Sequence, residues 1–132
     1  MNKVVVRFAD GRVVKGMTAD FLPTKDLFHL NVSTESVGAK PVEISTSDLK
    51  ALFFVRDFDG DPKHVESNEF DPAQPPAGRK IRVVFKDGEV LVGTTTGYQP
   101  GRPGFFVVPA DSDSNVERCY VVTAATREVK FI

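Results

Sequence analysis

The segment Lys3-Val4-Val5-Val6-Arg7-Phe8-Ala9-Asp10-Gly11-Arg12-Val13-Val14-Lys15-Gly16 is written twice in this chain. It returns 77 positions later as Lys80-Ile81-Arg82-Val83-Val84-Phe85-Lys86-Asp87-Gly88-Glu89-Val90-Leu91-Val92-Gly93. The register then continues without a gap through Thr18/Thr95, Pro23/Pro100, Phe28/Phe105, Thr46/Thr123 and Phe54/Phe131, giving 12 identities in 53 positions. The identities fall on turn glycines and alternating apolar positions, where a fold constrains its sequence most. Residues 1–55 and 80–132 therefore read as two copies of one module, and 56–79 as the connection.

Each copy reads as a β-meander. Val4, Val6 and Phe8 alternate with Val5 and Arg7, the period of two that buries one face of a strand. Asp10-Gly11 and Asp87-Gly88 supply the positive φ of a tight hairpin. Gly16 and Gly93 sit inside the next strand, where a missing side chain marks a bend or a close backbone approach. Three further strands are expected per copy: Leu27–Val32, Val42–Ser45 and Leu49–Val55, then Phe105–Val108, Arg118–Thr123 and Arg127–Ile132. Five strands in about fifty residues predict a small barrel. The composition agrees: 20 Val and 11 Phe stand against 6 Leu and 2 Met, a balance that favours sheet over helix. The expected class is all-β, two tandem five-stranded barrels.

The connection differs in composition. It holds Pro62, Pro72, Pro75 and Pro76, six acidic and three basic residues, and no sustained periodicity, so it reads as an acidic, proline-rich linker. Phe58 and Phe70 within it are expected to pack along the modules.

Val6-x-Phe8-x-Asp10-Gly11-Arg12-x-x-x-Gly16 followed by Phe21 resembles the first motif of Sm-like proteins. Val83-x-Phe85-x-Asp87-Gly88-Glu89-x-x-x-Gly93 followed by Tyr98 resembles it again. The resemblance implies an SH3-type barrel for each copy and raises single-stranded RNA binding as a function. Where that family carries its RNA-contacting asparagine, these copies hold Thr24-Lys25 and Gly101-Arg102, and the last hairpins, 45–48 and 123–126, contain no glycine. The second copy is also similar to a group of uncharacterised bacterial proteins through Phe85–Gly93, Arg102-Pro103-Gly104-Phe105-Phe106 and Pro109-Ala110-Asp111.

Across its 132 residues, 17 basic and 18 acidic side chains leave a net charge of −1, without the basic excess of a dedicated duplex-DNA binder. The single cysteine, Cys119, excludes a disulfide framework and reads as a small apolar strand residue. No segment resembles a signal peptide or a membrane span, so the expectation is a cytoplasmic protein, and the likeness of the second copy to bacterial proteins implies a bacterial one.

Catalytic material is sparse. Of the two histidines, His29 is expected to be half-buried and structural, and His64 to be solvated. The acidic strings Asp57-Phe58-Asp59-Gly60-Asp61-Pro62 and Asp111-Ser112-Asp113-Ser114-Asn115 lack the glycine and the distal glutamate of a calcium loop, so they read as solvated turns. No catalytic residue, metal ligand or cofactor is assigned from the sequence. The candidate recognition residues are Lys25, Tyr98, Arg102 and Phe106, around the stiff turn Pro100–Gly104, with Phe21, Lys25 and Phe28 as the matching set in the first copy; the alternative reading makes Tyr98, Phe105 and their partners core and leaves Arg102 and Lys25 exposed. The expected function is a non-enzymatic interaction or assembly module. It would self-associate or dock a protein partner through free sheet edges, with single-stranded RNA binding as the alternative. Leu49–Val55, apolar throughout except for Lys50, demands cover from the sister module or from another chain.

Overall fold

A computed structural model describes residues 1–34, 38–60, 62–73 and 78–132. Asp61, Pro75 and Pro76 lie outside the described residues. Ten strands run in chain order: β1 (Asn2–Phe8), β2 (Val13–Thr18), β3 (Leu27–Val32), β4 (Val42–Ser45), β5 (Leu49–Val55), β6 (Arg79–Phe85), β7 (Val90–Thr95), β8 (Gly104–Pro109), β9 (Val116–Val122) and β10 (Thr126–Phe131). Single 3-10 turns at Thr46–Asp48 and Thr123–Ala125 are the helical elements among the described residues. The protein is all-β.

All ten strands belong to one antiparallel sheet in the order β10-β6-β7-β8-β9-β5-β1-β2-β3-β4. This departs from the expected pair of separate barrels. The ladder is open, and each five-strand set ends on a strand that does not pair back to its own other end. The physical reason lies in Leu49–Val55: its apolar second edge is taken by β9, from Ala51 opposite Val121 to Val55 opposite Val116. The sister half thus supplies the cover that this strand needs.

The two halves share their local bonding. Phe8 N–H donates to the Arg12 carbonyl and Phe85 N–H to that of Glu89, each at 2.9 Å. Gly11 and Gly88 close the two turns at φ +98° and +92°. Thr18 Oγ1 donates to the His29 carbonyl at 2.8 Å, and Thr95 Oγ1 to that of Phe106 at 2.7 Å. A Cβ on Gly16 would collide with the Asn31 carbonyl, and one on Gly93 with the Val108 carbonyl, so β2 and β7 each cross a neighbour at a distance only glycine permits.

Two cores result, and the central strands serve both. Val4, Val6, Phe28, Leu30, Leu52 and Phe54 fill the first, Ile81, Val83, Phe85, Phe105 and Val107 the second. Tyr120 and Val122 of β9 project into the first core, while Ala51 of β5 projects into the second. Alternation makes this exchange unavoidable, because a central strand sends successive side chains to opposite faces. Polar contacts reinforce the joint. Lys50, 5% exposed, sets its ammonium 2.6 Å from Asp87 Oδ2 and 3.2 Å from Glu89 Oε1, over the Phe85 ring, and Arg7 reaches Glu89 at 3.1 Å. Lys50 thereby holds the Asp87 carboxyl below its ordinary range.

Phe58 and Phe70 of the connection pack along the sheet as expected. Lys3 lies over the Phe58 ring and Lys80 over the Phe70 ring, at 5.9 and 4.7 Å. Lys15 Nζ donates to the Phe58 carbonyl at 2.8 Å.

Candidate functional site

The four candidate recognition residues do not form one cluster. Tyr98 is half-buried and packs edge-on against Phe105 and Phe131, with ring centroids 4.7 and 5.7 Å away, as part of the second core. Phe106 lies at the joint, 5.2 Å from the Tyr120 ring and 6.2 Å from Phe54, beneath the Arg118 guanidinium. In the first half, Phe28 is fully buried and Phe21 stacks edge-on against Phe28 and Tyr120. These rings fill cores, so they do not stand free for base stacking. Lys25 and Arg102 are exposed at equivalent turns in the two halves. Arg102 Nε donates to Gln99 Oε1 at 2.9 Å, an arrangement that stiffens its own turn.

Both histidines depart from expectation. His29 is exposed, its side chain 54% accessible, and is held by Asp20: Oδ1 accepts the His29 backbone N–H at 2.8 Å, and Oδ2 lies 2.7 Å from Nδ1. The backbone N–H and then the ring of His29 pull the Asp20 carboxyl down to about 2. His64 is not solvated alone. Its Nε2 sits 2.7 Å from Asp111 Oδ2 and 3.8 Å from Glu66 Oε2, tying the connection to the loop after β8. The Ser67 N–H donates to the same Asp111 oxygen at 2.9 Å. Asn115 binds the connection at a second point, its Nδ2 on the Asp57 carbonyl at 2.7 Å and its Oδ1 accepting the Asp57 N–H at 3.0 Å. A groove of about 670 Å³ lies between these contacts, its charged and titratable lining being Arg56, Asp57, Asp59, His64, Glu66 and Asp113. The sequence signal for this meeting was absent, because 47 residues separate His64 from Asp111 and the connection has no periodicity to place it.

The His64 contact has a pH signature. Asp111 raises the His64 pKa above its ordinary value, and the Ser67 N–H, with His64 itself, lowers that of Asp111. A raised histidine stabilises the docked connection fully below about pH 6.5, and the contribution is lost as pH rises through the folded value. The lowered carboxylate sets the acid limit, its contribution disappearing as Asp111 protonates below its ordinary range. We expect the Ser67 amide to exchange faster at pH 8 than at pH 6 after correction for intrinsic rates. We also expect an NMR titration to place His64 above 6.5, with Asp111→Asn returning it toward that value. A His64 titration unmoved by Asp111→Asn would show that the contact does not form.

Cys119 is fully buried in the second core, and burial pushes its thiol pKa far up. It is a packing residue, as its sequence position suggested.

The open edges are the remaining feature. β10 pairs on one side with β6 and β4 on one side with β3. Ile132 N–H donates to Lys80, on the β6 side, so by strand alternation the N–H groups of Val129 and Phe131 face the open side. In β5 the corresponding groups, Leu52 and Phe54, face β9, consistent with Arg56 N–H donating to Asn115.

The whole chain, residues 1–132, matches the sequence model of a family of unknown function, DUF6982. No curated protein and no solved structure matches it. No helix among the described residues is long and apolar enough to cross a membrane.

Proposed function

We propose that this chain, which belongs to the DUF6982 family, is a non-enzymatic module that docks a protein partner by strand addition at β10. We read the fold as an internal duplication in which two Sm-like modules are fused edge to edge. The observation that carries the function is the contrast between β5 and β10, equivalent strands of the two halves. β5 has its second edge filled by β9, whereas β10 ends the sheet and, among the described residues, no strand pairs with its second edge along Thr126–Phe131. An extended segment added there would gain main-chain hydrogen bonds and read the side chains beside them.

The composition of the two open edges favours a partner other than a second copy. Ala51 and Phe53, which face the neighbouring core at the internal joint, correspond to Glu128 and Lys130 in β10, and Tyr120 and Val122 correspond to Glu43 and Ser45 in β4. Repeating the β5–β9 joint between chains would bury those charges without matched partners. Alternating charges on an edge are also how sheets avoid unwanted pairing. The protein is expected to be monomeric, and light scattering behind a sizing column reads this directly.

Val129→Pro tests the docking surface. Its lost N–H is one that faces the open side, so the substitution leaves the β6 ladder intact and blocks an added strand. In nuclease-treated extracts, a protein that cross-links to a photoreactive residue at Lys130 should lose about tenfold in retention on Val129→Pro, the scale of one main-chain hydrogen bond plus its register. Unchanged retention contradicts the proposal. So would salt-sensitive binding of a labelled RNA that weakens in Arg102→Ala, which instead supports the RNA reading.

A further inference from the structure

His64, Glu66 and Asp111 bring an imidazole nitrogen and two carboxylate oxygens to one point, all three donor atoms lying within 4.8 Å of one another. His64 Nε2 stands 2.7 Å from Asp111 Oδ2 and 3.8 Å from Glu66 Oε2. Donors around a tetrahedral zinc ion at its usual bond lengths stand about 3.3 Å apart, between those two values. We propose that these three side chains bind one divalent transition-metal ion of the zinc class, which fastens the connecting segment to the loop after β8.

The donor set selects the class. An imidazole ligand suits zinc and its neighbours and is not what calcium or magnesium uses, while two carboxylates balance the ion's charge. Asp111 is already oriented as a ligand requires. Its side chain is 8% exposed, with Oδ2 accepting the Ser67 N–H and Oδ1 the Asp113 N–H, each at 2.9 Å. Such outer contacts fix the carboxylate before the ion arrives. Glu66, half exposed, can rotate its carboxylate from 3.8 Å toward the spacing that coordination needs. Binding releases the proton shared between His64 and Asp111 to solvent, and Nε2 takes the ion in its place. Three protein ligands leave a fourth position for water, and the adjoining groove, which His64 and Glu66 line, carries Asp57, Asp59 and Asp113 against the cation Arg56, a balance that favours cations.

The test uses the untagged 132-residue chain and zinc chloride. Titration calorimetry should show one saturable site, and thermal melts should shift upward with zinc. Cobalt(II) in place of zinc should develop visible absorption bands of a four-coordinate site. His64→Ala and Glu66→Gln, both on a connection outside the two cores, should fold with unchanged circular dichroism and weaken binding by at least about tenfold. His29→Ala, which removes the other imidazole, should leave the titration as in wild type. Absence of saturable zinc binding overturns the proposal. A thermal shift of equal size in wild type and His64→Ala, or binding lost in His29→Ala and kept in His64→Ala, overturns it equally.

Discussion

Tyr120→Ala should destabilise the protein by about 3–5 kcal/mol, the range for deleting a large buried ring. Tyr120 belongs to β9, in the second half of the chain, yet its ring is 1% exposed inside the first core. It packs edge-on against Phe21 at 5.1 Å and Phe106 at 5.2 Å, and Gly104 lies so close that any Cβ there would strike the ring. Its removal opens a cavity at the joint that neither half can close alone. Chemical denaturation of this variant should therefore show one transition at a lower midpoint, with fluorescence and circular dichroism coinciding. Two separated transitions would mean that the halves fold independently and that β5–β9 pairing does not couple them.

Gly93→Ala should also destabilise the protein, by less than Tyr120→Ala, and the cause differs. The added methyl carbon would overlap the Val108 carbonyl and press on the Val107 side chain, so the β7–β8 backbones must part. A shift of that kind in a packed sheet costs about 1–3 kcal/mol, and here it also strains the two-residue pairing of Gly93 with Pro109 and Thr94 with Val108. Gly88→Ala is the informative comparison. It lies at φ +92° with nothing within 4 Å of the new carbon, so it pays only the backbone cost of about 1–2 kcal/mol. A Gly93→Ala variant more stable than Gly88→Ala would contradict the close crossing of β7 and β8.

Much of this architecture was legible in the sequence. The alternation of Val4, Val6 and Phe8 specifies one buried face, Asp-Gly specifies the hairpins, and an apolar Leu49–Val55 specifies a strand with no face or edge left for water. These signals are local, with the period of the strand itself. What the sequence could not show is how the halves are joined. Cover for Leu49–Val55 could come from within the chain or from outside it, and nothing in the local pattern of Tyr120 or Ala51 says whose core each will enter. The same limit applied to the recognition residues. For these rings the sequence left a stacking surface and core packing both open, and tertiary packing turned Tyr98, Phe106, Phe21 and Phe28 inward. The meeting of His64 with Asp111 was beyond local reading, because it depends on the path of a proline-rich segment that the modules hold through Phe58, Phe70 and Asn115.

Differences between the equivalent strands β5 and β10 then carry the functional reading. The replacements of Ala51 by Glu128 and of Phe53 by Lys130 at corresponding positions convert a core-facing strand into one with an open, charged edge. Residue-resolved hydrogen exchange of the free protein tests this most directly. Leu52 and Phe54 amides, facing β9, should be among the slowest in the molecule, while Val129 and Phe131 amides, at the same positions of β10, should exchange within the range of unpaired edge groups. Equal protection at both pairs, persisting on dilution, would show that the β10 edge is already covered and would contradict a docking surface there.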